Sequence, residues 1–93
     1  MTTHIVKSWP QFFKPMVDGT KKHDLRKNDR DWKIGDILEL QEFDPILGEY
    51  TGSVAAMKIT FITNNSTPCA YSSHALDRGY SILSVEKIED ERN

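Results

Sequence analysis

GTKKHDLRKNDRDWKIGDILEL, residues 19–40, passes from a charged run into an alternating apolar one, and this change of pattern organises the chain. Lys22–Arg26 has the length of a short strand. KNDRD after it is turn-rich, because Asn and Asp side chains stabilise turn backbone. Lys33-Ile34-Gly35-Asp36 then leads into a second strand, ILELQEF from Ile37, where Leu38 and Leu40 recur with period two. Between Gly19 and Asp36 stand Lys21, Lys22, Arg26, Lys27, Arg30 and Lys33, interleaved with Asp24, Asp29, Asp31 and Asp36. Arg forks and Asn amides are directional donors that neighbouring carboxylates can orient, as a polar or phosphate-bearing ligand requires. The same residues are also compatible with a charged hairpin whose ion pairs contribute almost nothing. The residues alone leave both readings open.

Upstream, HIVKS (His4–Ser8) reads as a strand with Ile5 and Lys7 on the face opposite Val6. Ser8 offers a helix cap and Pro10 suits the first helical position. Phe12, Phe13, Met16 and Val17 have helical spacing, and Gly19 is a natural stop. Pro15 removes a backbone donor, so about two turns of helix are expected, with the Phe pair in the core. Downstream, Asp44–Gly48 is a loop, and Tyr50–Phe61 is a strand bent near Gly52, its apolar residues being Val54, Met57, Ile59, Phe61 and Ile62. Asn64–Pro68 is a polar turn, followed by an irregular stretch to Arg78. YSILSVEKI (Tyr80–Ile88) is the closing strand and 89–93 a charged tail. Five or six strands with one helix predict a single α+β domain over residues 1–93, a small mixed or antiparallel β-barrel with one short N-terminal helix.

Composition is that of a globular protein, 38% hydrophobic and 28% charged over 93 residues. No apolar run spans a bilayer, and Met1–Thr3 leads straight into patterned sequence without a signal peptide, which predicts a cytoplasmic protein with no membrane partner. The single Cys69 fits a reducing compartment. Cys69, His4, His23 and His74 lack metal-ligand spacing, and no cofactor motif is present, so neither metal nor cofactor is expected. A formal charge of −2 argues against coating nucleic acid by bulk electrostatics. Yet residues 1–30 carry seven Lys/Arg against three acids, whereas 31–93 carry five against eleven. A localised basic patch is the expectation.

Along an extended 22–26, Asp24 and Arg26 share one face, and Leu25 is expected toward the core. Arg26 is the strongest candidate for holding a phosphate or a base edge, with Asp24 orienting it. Asn28 and Arg30 lie in the turn, Arg30 within reach of the cleft. Tyr50 and Thr51 are expected to rim it. Trp9 and Tyr80 are read as packed residues; Trp32 is left as either a stacking platform or packing.

Gly19, Lys21, Asp24 and Arg26, then Gly35-Asp36 and ILEL, resemble the signature of ASCH domains, a branch of the PUA-like superfamily. RKNDRDWKIGDILEL, with EFDP and GEYTG, further resembles a small uncharacterised family of phage and bacterial genomes, the likeness running from about His4 to Val85. The resemblance implies a PUA-like pseudo-barrel whose cleft near the Gly-x-Lys turn binds RNA or a nucleotide-like molecule. One subgroup of such domains hydrolyses N4-acetylcytidine with a lysine and a threonine on this strand and a later glutamate. Lys21 falls on that lysine; Asp24 stands where the subgroup has threonine; no acid occurs between Asn64 and Leu76. The expected function is therefore an RNA- or nucleotide-binding module, a monomer, using Lys21, Asp24, Arg26, Asn28, Arg30 and Tyr50. The alternatives are an amidohydrolase with Lys21 and Asp24 as its catalytic pair, and a protein that binds another protein.

Overall fold

The computed structural model describes residues 1–66 and 71–88 and orders its elements β1 (Thr3–Ser8), α1 (Pro10–Asp18), β2 (His23–Lys27), β3 (Ile37–Asp44), β4 (Glu49–Asn64), α2 (Ser72–Ala75) and β5 (Tyr80–Lys87). Cys69 and the tail at 89–93 lie outside the described residues, as does the end of the polar turn. The five strands form one sheet in the order β1-β3-β4-β5-β2. Only the β1–β3 pair is parallel; the others are antiparallel. The sheet curls into a half-barrel. The expected α+β, barrel-like architecture with one short N-terminal helix is thus observed in its coarse form, with a four-residue helical turn, α2, added in the stretch read as irregular.

Period-two alternation is realised most cleanly in the central strands. Leu38 and Leu40 of β3, Met57 and Ile59 of β4, and Leu83 and Val85 of β5 are buried and form one cluster with Val6, Phe13, Met16 and Trp32. α1 inserts Phe13 and Met16 into that cluster and turns Phe12 outward, so the Phe pair is split between core and solvent. The helix runs through Pro15 for nine residues, roughly two and a half turns. Gly19 ends it at φ 87, a left-handed backbone that a side chain disfavours. The freed Pro15 carbonyl accepts the Lys21 amide at 3.0 Å, which draws the chain into β2.

Ser8 does not cap the helix. It is buried as the last residue of β1, and the cap position belongs to Trp9, which has no side-chain capping bond. The Trp9 carbonyl accepts the amides of Phe12 and Phe13 instead. β4 is longer than expected and carries two register shifts. Between Gln41 and Phe43 one residue of β3 faces three of β4, including Gly52 at φ 94, and a second shift lies between Ile59 and Phe61. Such irregularities sharpen sheet curvature.

Three expected orientations are reversed. Leu25 is 55% exposed, and Asp24 is the buried residue of β2. The register with β5 decides this: Asp24 opposes Leu83 and Arg26 opposes Ser81, and directly opposed residues share a face. Because Ser81, Leu83 and Val85 point inward, Asp24 and Arg26 must do so too. Tyr80, one step out of that phase, is 39% exposed. Trp9 is 46% exposed, whereas Trp32 is the buried tryptophan, its indole donating to the Lys27 carbonyl at 3.1 Å.

Candidate functional site

β1 and β2 are the two edges of the sheet, and no ladder joins them. Two guanidinium groups cross the gap. Arg26 Nη2 donates to the Lys7 carbonyl at 2.8 Å and Arg30 Nη1 to the Ile5 carbonyl at 2.9 Å. Successive C=O groups on one edge of a strand alternate, so residues 5 and 7 present theirs to the same side. Arg26 and Arg30 thereby satisfy edge carbonyls that a sixth strand would otherwise take.

Arg26 is itself aimed by Asp24, whose Oδ2 accepts from Nε at 2.7 Å. Lys21 Nζ lies 3.7 Å from the other carboxylate oxygen and donates to the His23 carbonyl at 2.6 Å. Asp24 can be buried because two cations flank it; alone it would carry a large desolvation cost. Lys21, Asp24 and Arg26 therefore lie together, the shared face of Asp24 and Arg26 being the part that strand alternation gives. Lys21, however, lines neither of the two clefts described below.

Arg30 packs over Trp32, its guanidinium carbon 5.7 Å from the ring centroid. Trp32 in turn meets the His4 ring at 4.7 Å. His4 Nε2 donates to Asp36 Oδ2 at 2.8 Å, and Asp36 also accepts the Thr2 amide at 3.0 Å and the Lys33 amide at 3.2 Å. The His4 bond, then the Thr2 amide, hold the Asp36 carboxyl below its ordinary value although burial opposes them. Gly35, at φ 96, makes the turn that delivers Asp36 to these partners. The Gly35-Asp36 pair thus anchors β1 and the floor of the seam, and has a structural role.

A cleft of about 360 Å³ opens along the seam, within the roughly 300–1,000 Å³ usual for small-molecule sites. Ile5, Val6 and Lys7 of β1 form one wall, Arg26, Lys27, Asp29 and Arg30 the other, with Trp32 and Tyr50 completing it. Four cations face one acid there, in a chain whose formal charge is −2. Tyr50 is half exposed and stands edge-on to Phe43, centroids 5.1 Å apart; Lys7 Nζ sits 4.4 Å above Phe43.

Of the residues singled out from the sequence, Arg26, Arg30 and Tyr50 line this cleft. Asp24 lines a neighbouring hollow. Asn28 lines neither: its amide donates to the Arg78 carbonyl at 3.0 Å, and its oxygen accepts from Ser81 at 2.5 Å, tying the end of β2 to β5. Thr51 bonds Glu42 at 2.7 Å across the β3–β4 irregularity. Lys7 and Lys27 were not singled out. Alternation alone put Lys7 on the face away from Val6, but nothing local says that its backbone carbonyl meets Arg26, nineteen residues on.

A mostly-β half-barrel with a cationic, partly aromatic cleft at its open seam defines the class. Residues 3–85 match the family described as "Domain of unknown function (DUF3850)", and the chain belongs to that family. It is also 35% identical over 63 residues to the "Uncharacterized 12.9 kDa protein in GpA 3'region" of Escherichia phage P2, a match covering 68% of this chain. The match spans 56% of the phage protein's length. Among the described residues no helix is long and apolar enough to cross a membrane.

Proposed function

We propose that this protein is an ASCH-type, PUA-like module that binds RNA or a nucleotide in the cleft between β1 and β2. The supporting observation is the lining: Lys7, Arg26, Lys27 and Arg30 against Asp29 alone, with Tyr50 beside them. Cations held on opposite walls of a groove suit a phosphate between them, and an aromatic side chain gives a base a face to stack on. Titration of labelled single-stranded RNA tests the reading. Micromolar binding is expected, weakening with salt by a slope of roughly 0.7 per phosphate neutralised. Arg30→Ala is expected to weaken it several-fold while leaving the fold intact. Equal binding by both proteins removes the cleft from the reading.

One observation favours a second reading, hydrolysis of an N4-acylated cytidine: Lys21 Nζ is 3.7 Å from the Asp24 carboxylate. Amide hydrolysis needs a nucleophile or activated water, a proton carrier and an oxyanion partner. Asp24 is occupied by Arg26, and Lys21 by a backbone carbonyl. No turnover of N4-acetylcytidine is expected. Cytidine release seen by chromatography and abolished by Lys21→Ala overturns that expectation.

A further inference from the structure

Lys7 and Arg26 line two hollows, not one. On the far side of them from Arg30 and Tyr50 lies a second hollow of about 340 Å³, formed with Ser8, Trp9, Phe12, Asp24 and Leu25. Its character differs from the first. Trp9 and Phe12 are each 46% exposed, their rings within 21° of parallel and 6.3 Å apart, and Leu25 is exposed beside them. Trp9 contributes no capping bond to α1, and Phe12 faces away from the core that Phe13 and Met16 fill. The seam thus reads, in order, as aromatic shelf, cationic waist, and cationic cleft with an aromatic rim.

We infer that the seam binds an extended single-stranded oligonucleotide across two adjoining subsites. A phosphate sits at the Lys7–Arg26 waist, one base lies on the Trp9–Phe12 shelf, and the next nucleotide enters the cleft of Arg30 and Tyr50. This rests on the nucleotide-binding reading above and narrows it from a free nucleotide to a strand. A mononucleotide has one base and needs one platform, whereas the seam offers one on each side of a shared cation pair. Single-strand binders combine these two elements, a cationic track and successive stacking faces, and are tolerant of sequence because every base has a π-face. The waist is electrically available to an anion. Among the described residues no carboxylate pairs with Lys7, and the charge of Asp24 is offset by Arg26 and Lys21. An acidic peptide would use the cations and leave the aromatic shelf in water.

The test measures affinities for uridine 5′-monophosphate, the dinucleotide pUpU, oligouridine and oligoglutamate by anisotropy and tryptophan fluorescence. The proteins are wild type, the double variant Trp9→Leu/Phe12→Leu, and Lys7→Gln. Both aromatic positions are exposed, so leucine keeps their apolar character and removes the π-faces; circular dichroism verifies the fold. Expected results are tighter binding of pUpU than of the mononucleotide by about 5- to 10-fold, the scale of one stacked base. The double variant should lose that gain and bind pUpU no more tightly than the mononucleotide. Lys7→Gln should weaken both and lower the salt slope by about 0.7. Equal affinity for pUpU and the mononucleotide, or a double variant that binds pUpU like wild type, overturns the two-subsite inference while the nucleotide-binding reading stands. Binding of oligoglutamate as tight as oligouridine overturns it in favour of an acidic peptide. Binding of none of the nucleotides overturns both.

Discussion

Across β3, β4 and β5 the inward apolar side chains are Leu38, Leu40, Met57, Ile59, Leu83 and Val85, whereas the polar ones beside the seam include His4, Asp24 and Ser81. All nine are buried, but for opposite reasons. The first set is held by backbone ladders and by transfer of apolar surface out of water, about 1.5–3 kcal/mol for each large side chain. The second set is buried only because each polar group has a partner: Asp36 for His4, Arg26 for Asp24, Asn28 for Ser81. A net hydrogen bond to a charged group contributes roughly 1.5–3 kcal/mol, but removing one partner strands the other. The middle of the sheet is therefore built for stability. The seam is built from groups with directional polar chemistry, which suits the binding role proposed for it.

This contrast can be broken at its strong side first. Leu40→Ala is expected to cost about 2–5 kcal/mol, seen as a lower urea midpoint, because a fully buried side chain leaves a cavity in the central cluster. Should Leu40→Ala cost no more than a surface substitution, the apolar ladder is not what holds the sheet. On the seam, Arg26→Ala is expected to cost about 1.5–3 kcal/mol and to speed amide hydrogen exchange in β1 and β2 more than in β3 and β4. Uniform acceleration across all strands would mean that the seam is no separate region.

Asp36 sharpens the comparison through pH. Its folded-state pKa lies below the ordinary 3.8. As pH falls through 3.8 toward the depressed native value, the unfolded chain therefore binds more protons than the folded one. The stabilisation is fully present above the ordinary value and is lost as pH drops through the native one. Asp36→Asn should cost about 1–2 kcal/mol at neutral pH and flatten the acid side of a stability–pH curve, while Leu40→Ala lowers that curve without changing its shape. The smallest effect is expected from the Asp31–Lys33 pair, both exposed and 3.6 Å apart. Asp31→Ala should change stability by less than about 0.5 kcal/mol in thermal melts, the reference for a charge that only decorates the turn.

Local pattern was enough for much of the architecture. Period-two alternation in ILEL and YSILSV, helical spacing at Phe13 and Met16, and the stop at Gly19 are short-range properties, and these elements lie where their residues put them. The pairing of Asp24 with Arg26 was legible for the same reason, since residues two apart on an extended strand share a face, whereas alternation leaves the placement of Lys21, before the strand, open. Which way β2 faces was not legible. HDLRK offers one apolar residue, Leu25, among polar ones, and the local preference for burying it is overruled by the register against β5, fifty-odd residues later. The cost of turning Asp24 inward is met by Arg26 and Lys21, a compensation visible only once the strands are paired. The seam likewise belongs to tertiary structure alone. That Arg26 reaches the Lys7 carbonyl and Arg30 that of Ile5, and that Lys7, Trp9 and Phe12 border Arg26, follow from β1 and β2 being the two edges of one curled sheet. Sequence determined the elements because their signals repeat within a few residues; the order of strands decided the site because it joins residues that share no local pattern.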